Sequence, residues 1–194
     1  MLRIIGGEQR GRKIEVPPGD TVRPTTDRVR EAIFNLLRQL VPGRAVFDLF
    51  AGSGALGLEA LSRGARHATL IENDRRVAAV LRRNVAHLQF ADRTTIVTAD
   101  VFRWVERGGG WSAQPAIVLI APPYAYFEKR LGDLQTLWGT LVNQMPEDTA
   151  IVMQAPRDLD RSLLLPSQDW ELRRYGDTQV VICQTCRTPN ASSL

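Results

Sequence analysis

The sequence predicts an α/β fold in which a mostly parallel sheet is covered by helices on both faces. From residue 45 onward, short strands that are apolar on both faces alternate with helix-forming segments, which is the pattern of a buried parallel sheet. The C-terminal part of the chain departs from this alternation, because Trp170–Tyr175 and Gln179–Gln184 are separated only by Gly176-Asp177-Thr178. That connection is too short for a helix, so these strands form an antiparallel hairpin. With 194 residues, 44% of them hydrophobic, the chain can bury one such core.

The N-terminal segment predicts a β-hairpin followed by a helix. Residues 2–5 and 12–16 are the predicted strands, and Pro17-Pro18-Gly19 ends the second. The helix starts near Thr25 or Thr26, since either hydroxyl could serve as the N-cap. Its apolar stripe consists of Val29, Ile33, Leu36, Leu37 and Leu40. Pro42-Gly43 then ends the helix.

Five strands with four intervening helices follow. The predicted strands are Ala45–Phe50, His67–Glu72, Thr94–Ala99, Ala116–Ile120 and Ala150–Gln154. The predicted helices are Gly54–Arg63, Asp74–His87, Val101–Arg107 and Phe127–Val142. Because the carboxyl ends of parallel strands meet at one edge of a sheet, and ligands bind at that edge, the functional residues are expected there.

A glycine-rich loop between the first of these strands and its helix predicts ligand binding. Gly52, Gly54 and Gly57 have the spacing G-x-G-x-x-G, which lets the backbone and a helix N-terminus approach a ligand. Glu72 ends the next strand, 20 residues after Gly52, where an acid would hold a ribose. These features alone leave a nicotinamide dinucleotide cofactor, and thus an NAD-dependent oxidoreductase, as an alternative.

Three further features favour S-adenosylmethionine. Asp48 directly precedes the loop, where an acid suits a ligand with an ammonium group and opposes a pyrophosphate. Asp100 ends the third strand, where it could contact an adenine amine or cap the next helix. The fourth strand leads into Ala121-Pro122-Pro123-Tyr124 at the same edge of the sheet.

The net charge is concentrated near the N-terminus. Residues 1–44 contain nine basic and five acidic side chains and carry the whole formal charge of +4. Residues 45–194 contain 16 of each sign. A basic extension on a neutral body is consistent with a polyanionic partner, or with an ordinary solvated surface.

Several motifs together resemble the RsmD family of bacterial 16S ribosomal RNA (guanine-N2) methyltransferases, members of the class I S-adenosylmethionine-dependent superfamily. The segments that carry the resemblance are Arg3-Ile4-Ile5-Gly6-Gly7, Arg10-Gly11-Arg12-Lys13, the stretch from Arg23-Pro24-Thr25 to Asn35, and Tyr175-Gly176-Asp177-Thr178. The resemblance covers roughly residues 2–185. It implies a Rossmann-like sheet of seven strands, the last antiparallel, with the N-terminal hairpin as an extension.

The resemblance also implies roles for individual residues. It implies that S-adenosylmethionine is held by Asp48, Phe50, Ala51, Gly52, Ser53, Gly54, Glu72, Asn73, Asp100 and Val101. It implies that Ala121, Pro122, Pro123 and Tyr124 form the catalytic turn, and that the hairpin contacts 16S ribosomal RNA or an assembling small subunit. Our phosphate-contact candidates are Arg10, Arg12, Lys13 and Arg23, because arginine suits bidentate phosphate contacts.

Ala121 departs from the family pattern, in which Asp or Asn comes before Pro-Pro. An exocyclic guanine amine is a poor nucleophile, and the usual side-chain acceptor orients its lone pair. Loss of one such partner costs about 10²–10³ in rate. Three interpretations stay open: a slow methyltransferase, substitution by another acceptor such as Glu128, or an RNA- or cofactor-binding protein without turnover.

The remaining expectations concern organisation and location. We expect a basic extension over residues 1–24, a methyltransferase domain over 25–188 and a frayed tail over 189–194. Charged residues early in the chain argue against a signal peptide, and no apolar run reaches the ~20 residues of a membrane span. A cytoplasmic protein is therefore expected, and the family resemblance implies a monomer. Cys183 and Cys186 are three apart in a strand and face opposite sides, so no metal site is expected.

Overall fold

The computed structural model describes residues 2–17, 26–111, 113–160 and 170–185. Its strands are β1 Leu2–Arg3, β2 Lys13–Ile14, β3 Ala45–Asp48, β4 His67–Glu72, β5 Thr94–Thr98, β6 Ala116–Ile120, β7 Ala150–Pro156, β8 Glu171–Tyr175 and β9 Thr178–Gln184. Its α-helices are α1 Asp27–Leu36, α2 Ala55–Ser62, α3 Arg75–His87, α4 Val101–Glu106, α5 Ala125–Lys129 and α6 Leu131–Gln144, with one 3₁₀ turn at Ala91–Arg93.

Strands β3 to β9 form one mixed sheet in the order β5-β4-β3-β6-β7-β9-β8. Within this sheet, the strands from β3 to β7 pair in parallel, and β9 is antiparallel to both β7 and β8. The register places Asp48 beside Leu70 of β4 and Leu119 of β6, so the carboxyl ends of these strands lie at one edge. The predicted fold class, including the antiparallel last strand, is confirmed.

The helices cover the sheet from two sides because each has an apolar stripe. One core cluster joins the hairpin, α1, α2 and α3 to the sheet, with Leu58 and Leu81 fully buried in it. The other cluster joins α4 and α6, with Leu137 and Trp138 nearly buried. Among the described residues, no helix has the length and apolar character needed to cross a bilayer.

The N-terminal hairpin is packed against α2. Ile4 and Ile14 are each 1% exposed and belong to the first core cluster. The backbone N–H groups of Ile5 and Gly6 donate to the two carboxylate oxygens of Glu59, at 2.7 and 2.8 Å. The paired strands are two residues each, shorter than the sequence pattern predicted, because most of residues 4–12 turn over the surface of α2.

A buried ion cluster fixes α1 to α2. Arg30 and Glu59 are both fully buried, and the Arg30 Nε lies 3.7 Å from a Glu59 carboxylate oxygen. Glu59 also accepts from Arg63 at 2.7 Å, and Arg30 donates to Asp27 at 2.9 Å. Burial lowers the pKa of Arg30, while the negative charges of Glu59 and Asp27 oppose that shift.

Two predicted helices differ in extent. Thr26 is the N-cap of α1, but α1 ends at Leu36, before Leu40. The single helix predicted over Phe127–Val142 is wrong: α5 and α6 are separated at Arg130, whose φ of −135° leaves the helical region. The guanidinium carbon of Arg130 lies 4.1 Å from the ring centre of Phe102, a tertiary contact that local periodicity could not reveal.

Candidate active site

An open cleft of about 240 Å³ lies at the carboxyl ends of β3, β4 and β5. Its lining residues are Leu49, Phe50, Ile71, Glu72, Asn73, Asp100, Val101, Phe102 and Tyr126. Five of the predicted cofactor residues are among them, namely Phe50, Glu72, Asn73, Asp100 and Val101. The structure therefore brings together residues from three strand ends, as the parallel topology predicts.

The glycine loop is built for close packing. Gly52 and Gly54 adopt φ of 55° and 86°, which favour glycine. A Cβ on Gly54 would lie 2.5 Å from Leu81 of α3, and one on Gly57 would lie 2.2 Å from Leu70 of β4. Two of the three glycines thus have a packing reason in the structure, in addition to any approach by a ligand.

Glu72 holds the loop against the end of β4. Its Oε2 accepts from the N–H of Gly52 at 2.9 Å, and its Oε1 accepts from the N–H of Asp74 at 2.8 Å. The residue is 9% exposed and borders the cleft. Each carboxylate oxygen has a second lone pair, so Glu72 can still accept from hydroxyl groups of a ligand such as a ribose.

Asp48 lies beneath the loop and is not among the residues that line the cleft. It is 1% exposed, and its Oδ2 accepts from the N–H of Gly57 in α2 at 2.9 Å. Burial raises the pKa of Asp48 to about 7; the hydrogen bond from Gly57 opposes the rise and the charge of Glu72 adds to it. The other oxygen, Oδ1, is buried without a hydrogen-bond partner in the described structure. The predicted contact with an ammonium group stays a prediction, and the visible role of Asp48 is to fix α2.

Of the two roles that the sequence left open for Asp100, the structure shows the helix cap, and the adenine contact stays a prediction. Its Oδ1 accepts from the N–H of Arg103 at 3.1 Å, so it caps α4. It also borders the cleft, where its Oδ2 lies 3.7 Å from the guanidinium of Arg130.

The cleft has an aromatic wall, of which the sequence predicted Phe50 but not Phe102 and Tyr126. The rings of Phe50, Phe102 and Tyr126 lie with their centres 6.1 to 6.3 Å apart. Arg130 stacks over Phe102 and Tyr126, at 4.1 and 5.2 Å from the ring centres. Tyr126 follows the Pro-Pro-Tyr turn by two residues, but its direction into the cleft depends on α5.

The turn after β6 carries the predicted catalytic residues. Ala121 is half-buried, its side chain offers no acceptor, and Glu128 is exposed on α5. The carbonyl of Pro123 accepts from the N–H of Tyr126 at 2.8 Å. Among the described residues, no backbone N–H donates to the carbonyl of Pro122, so this carbonyl is a candidate backbone acceptor of the turn. The Tyr124 hydroxyl lies 2.6 Å from Oγ1 of Thr178.

The predicted RNA-contact residues differ in their surroundings. Arg10 and Lys13 are exposed. Arg12 is half-buried and donates to Oε1 of Gln9 at 2.9 Å and to the carbonyl of His87 at 2.6 Å. Arg12 therefore also fixes the hairpin to the end of α3. Arg23 lies outside the described residues.

Asn84 connects the hairpin to the glycine loop. It is 1% exposed, and its amide donates to the carbonyls of Ser53 and Glu15, each at 2.9 Å. Its Oδ1 accepts from the N–H of Glu15 at 2.8 Å. One buried side chain on α3 thus satisfies three backbone groups from two separate segments. No sequence signal marked this residue.

No metal-binding cluster emerges in the described part of the chain. Groups of three or more His, Cys, Asp and Glu residues with suitable spacing are not found there. Cys183 is buried in β9, and Cys186 lies outside the described residues.

Comparison with known proteins identifies relatives of the whole domain. The family model described as Conserved hypothetical protein 95 matches residues 2–184. The protein named ribosomal RNA small subunit methyltransferase D of Haemophilus influenzae is 47% identical over 183 residues, covering 93% of this chain and 90% of that protein. The protein of the same name from Escherichia coli strain K12 is also 47% identical, over 123 residues, but that match spans 63% of this chain and 60% of that protein.

Solved structures with the same fold include two from bacteria. The Escherichia coli protein yhhF matches with a TM-score of 0.77 and 34% identity, over 95% of this chain and 97% of that chain. An RNA methyltransferase from Salinibacter ruber, in complex with S-adenosyl-L-homocysteine, matches with a TM-score of 0.63 over 89% of this chain and 100% of that chain. At 18% identity, this second likeness concerns the fold alone.

Proposed function

This chain belongs to the family described as Conserved hypothetical protein 95, the RsmD family, and from that membership we propose that it is an S-adenosylmethionine-dependent methyltransferase of small-subunit ribosomal RNA. The acceptor that we propose is the exocyclic N2 amine of a guanine in 16S RNA. The bound cofactor supplies an electrophilic methyl group on its sulfonium sulfur.

The observation that carries the proposal is the adjacency of cleft and turn. Tyr126 lines the cleft with Glu72 and Asp100, while Tyr124, two residues earlier, belongs to the Pro-Pro-Tyr turn. A cofactor in the cleft and a base at the turn would therefore be neighbours. Holding two reactants side by side supplies a large part of the catalysis that a transfer reaction needs.

The cleft residues fit the proposed cofactor. Glu72 is held rigidly by two backbone N–H groups and retains acceptor capacity for ribose hydroxyls. Asp100 is fixed as a helix cap and presents an acceptor for an adenine amine. Phe50 and Phe102 provide flat apolar surface beside it.

The turn would contact the acceptor base through two groups. The carbonyl of Pro122 can accept a hydrogen bond from the guanine amine, and the ring of Tyr124 can stack on the base. Without a side-chain acceptor at Ala121, we propose that turnover is slow. The alternative is an RNA- or cofactor-binding protein without turnover. Two observations favour it: Ala121 offers no side-chain acceptor, and Glu128, the candidate substitute, is exposed on α5.

A methyl-transfer assay tests the proposal. Small-subunit particles and naked 16S RNA that lack the modification are incubated with the chain and with cofactor carrying a labelled methyl group. Label on a guanine N2 in either substrate is the expected result, and comparing the two substrates identifies the physiological form. Absence of label with tight binding of S-adenosylhomocysteine would support the binding-protein alternative. Tight NAD binding without S-adenosylhomocysteine binding would overturn the proposal in favour of an oxidoreductase.

A further inference from the structure

Helix α3 is strongly basic although the chain beyond residue 44 carries no net charge. Its thirteen residues, Arg75–His87, contain four arginines and no acid. All four arginine side chains are exposed, at positions 75, 76, 82 and 83. Spacings of seven place Arg75 with Arg82, and Arg76 with Arg83, along one side of the helix. The charge balance along the sequence conceals this local excess.

Three of these arginines have no acidic side chain as a partner within the described structure. Arg83 forms an ion pair with Glu15 at 2.8 Å, but Arg82 only donates to the hydroxyl of Thr98, at 3.1 Å. Arg75 and Arg76 form no ion pair in the described part of the chain. We call Arg75, Arg76 and Arg82 the α3 arginine face.

The position of two of these charges works against the helix itself. Arg75 and Arg76 occupy the first turn of α3, where the helix dipole already places partial positive charge. Asp74 caps that turn and offsets part of this cost, through its hydrogen bonds to the N–H groups of Arg76 and Val77. Because the interaction of these two cations with the helix dipole is unfavourable, their placement favours a role outside the fold.

The helix also connects the two sites already described. Its N-terminal end follows Asn73, which lines the cofactor cleft. Its C-terminal end receives the hydrogen bond from Arg12 of the hairpin at the carbonyl of His87. At 1.5 Å per residue, α3 bridges about 20 Å between cleft and hairpin.

From the charge, the lack of acidic partners and this placement, we propose that the α3 arginine face binds the phosphate backbone of the RNA substrate. Arg10 and Lys13 lie within two residues of Arg12, which contacts the C-terminal end of α3, so the proposed RNA interface runs from the hairpin along α3 to the cofactor cleft. The inference rests on the proposed function, since it assumes an RNA substrate. It extends the RNA interface from the basic N-terminal segment to a helix of the methyltransferase domain.

A triple substitution, Arg75→Gln/Arg76→Gln/Arg82→Gln, tests this surface with transcribed 16S RNA as the probe. RNA affinity is measured between 50 and 200 mM salt, and S-adenosylhomocysteine affinity is measured by calorimetry. Because each lost phosphate contact reduces the salt slope by about 0.7, three contacts should reduce it by about two, and RNA affinity should fall about tenfold or more. Cofactor affinity should stay within about twofold.

The matched control is Arg38→Gln/Arg66→Gln/Arg107→Gln, which removes the same charge from exposed positions elsewhere. Arg38 and Arg66 precede β3 and β4, and Arg107 follows α4, so all three lie away from the carboxyl edge. Equal RNA affinity and equal salt slopes for the two variants would overturn the inference. Methyl transfer is assayed separately, so a natural chain that binds RNA through α3 without transferring methyl would refute the proposed activity alone.

Discussion

The phenolic oxygen of Tyr124 and Oγ1 of Thr178 lie 2.6 Å apart, so the Pro-Pro-Tyr turn after β6 is tied to the first residue of β9. Thr178 is 6% exposed and ends the Tyr-Gly-Asp-Thr segment, 54 residues from its partner. The contact joins two motifs whose relationship is invisible in the sequence. It makes Thr178 a positioning residue for the ring that would stack on the base.

We predict that Thr178→Val and Tyr124→Phe each raise the KM for RNA, by about threefold to tenfold, because one hydrogen bond holds the ring. The two changes should be non-additive, so the double variant should resemble either single one. Steady-state kinetics on all four proteins, with RNA varied at saturating cofactor, measures this coupling. Fully additive effects on KM would show that the hydroxyl contact does not position Tyr124.

Ala121→Asp should increase methyl transfer. A carboxylate at this position restores an acceptor for the guanine amine and stabilises the positive charge that develops on its nitrogen. Such a partner accounts for about 10²–10³ in rate. Single-turnover measurement with labelled cofactor gives the rate, and Ala121→Val is the control for side-chain size. Equal rates for the natural chain and Ala121→Asp would mean that the turn does not need a side-chain acceptor.

Glu72→Gln should weaken cofactor binding. The amide would present N–H groups toward at least one of the backbone donors, Gly52 or Asp74, which now donate to the carboxylate at 2.9 and 2.8 Å. Losing a charged acceptor of this kind costs about 1.5–3 kcal/mol, or roughly tenfold to a hundredfold in affinity. Calorimetry with S-adenosylhomocysteine checks the value, with Asp92→Asn, an exposed acid, as the control. An unchanged affinity for S-adenosylhomocysteine would show that Glu72 does not contribute to cofactor binding.

The buried carboxyl of Asp48 should make stability fall as pH rises. Burial raises the pKa of Asp48 from its ordinary value of 3.8 to about 7, so between these pH values the folded chain binds more protons than the unfolded chain. Unfolding then becomes easier with rising pH, by up to about 4 kcal/mol from this group. Below pH 3.8 the carboxyl of Asp48 is protonated in both states and does not destabilise the fold. Above pH 7 its destabilising effect no longer changes with pH.

Asp48→Asn isolates that contribution, because an amide does not titrate and keeps an acceptor for Gly57. Urea unfolding at pH 4.5 and pH 8 should show a smaller loss of unfolding free energy for the variant than for the natural chain. The same pH dependence in both proteins would contradict the assigned pKa.

Asn84→Ala should destabilise the fold, because it leaves the N–H and carbonyl of Glu15 and the carbonyl of Ser53 without their partner. Unsatisfied buried groups cost about 1–3 kcal/mol each, so a loss of about 2–4 kcal/mol is expected after relaxation. Denaturant unfolding measures the loss, and Asn35→Ala, at an exposed position on α1, is the matched control. Equal stabilities for the two variants would show that the hairpin does not depend on Asn84.

Local sequence patterns predicted the bounds of strands well where both faces of the strand are covered. His67–Glu72 and Ala116–Ile120 are strands at the predicted bounds, because short apolar runs between helices have one stable arrangement. The N-cap Thr26 was one of two predicted candidates, since a cap depends on a few consecutive residues. The break at Arg130 was not predicted, and the contact of Arg130 with Phe102, 28 residues earlier, is likewise not visible in a local pattern.

The sequence by itself determined the fold class, the family and which strand ends carry acids, since periodicity, glycine spacing and motif order are properties of neighbouring residues. Tertiary structure alone decided what those residues touch. It buried Asp48 under α2, gave Gly54 and Gly57 a packing role, and joined Tyr124 to Thr178. It also placed α3, with its arginines, between the cleft and the hairpin, although this helix follows the hairpin by some 60 residues. Such contacts join segments that are far apart in the chain, and only the packed sheet and helices bring them within reach.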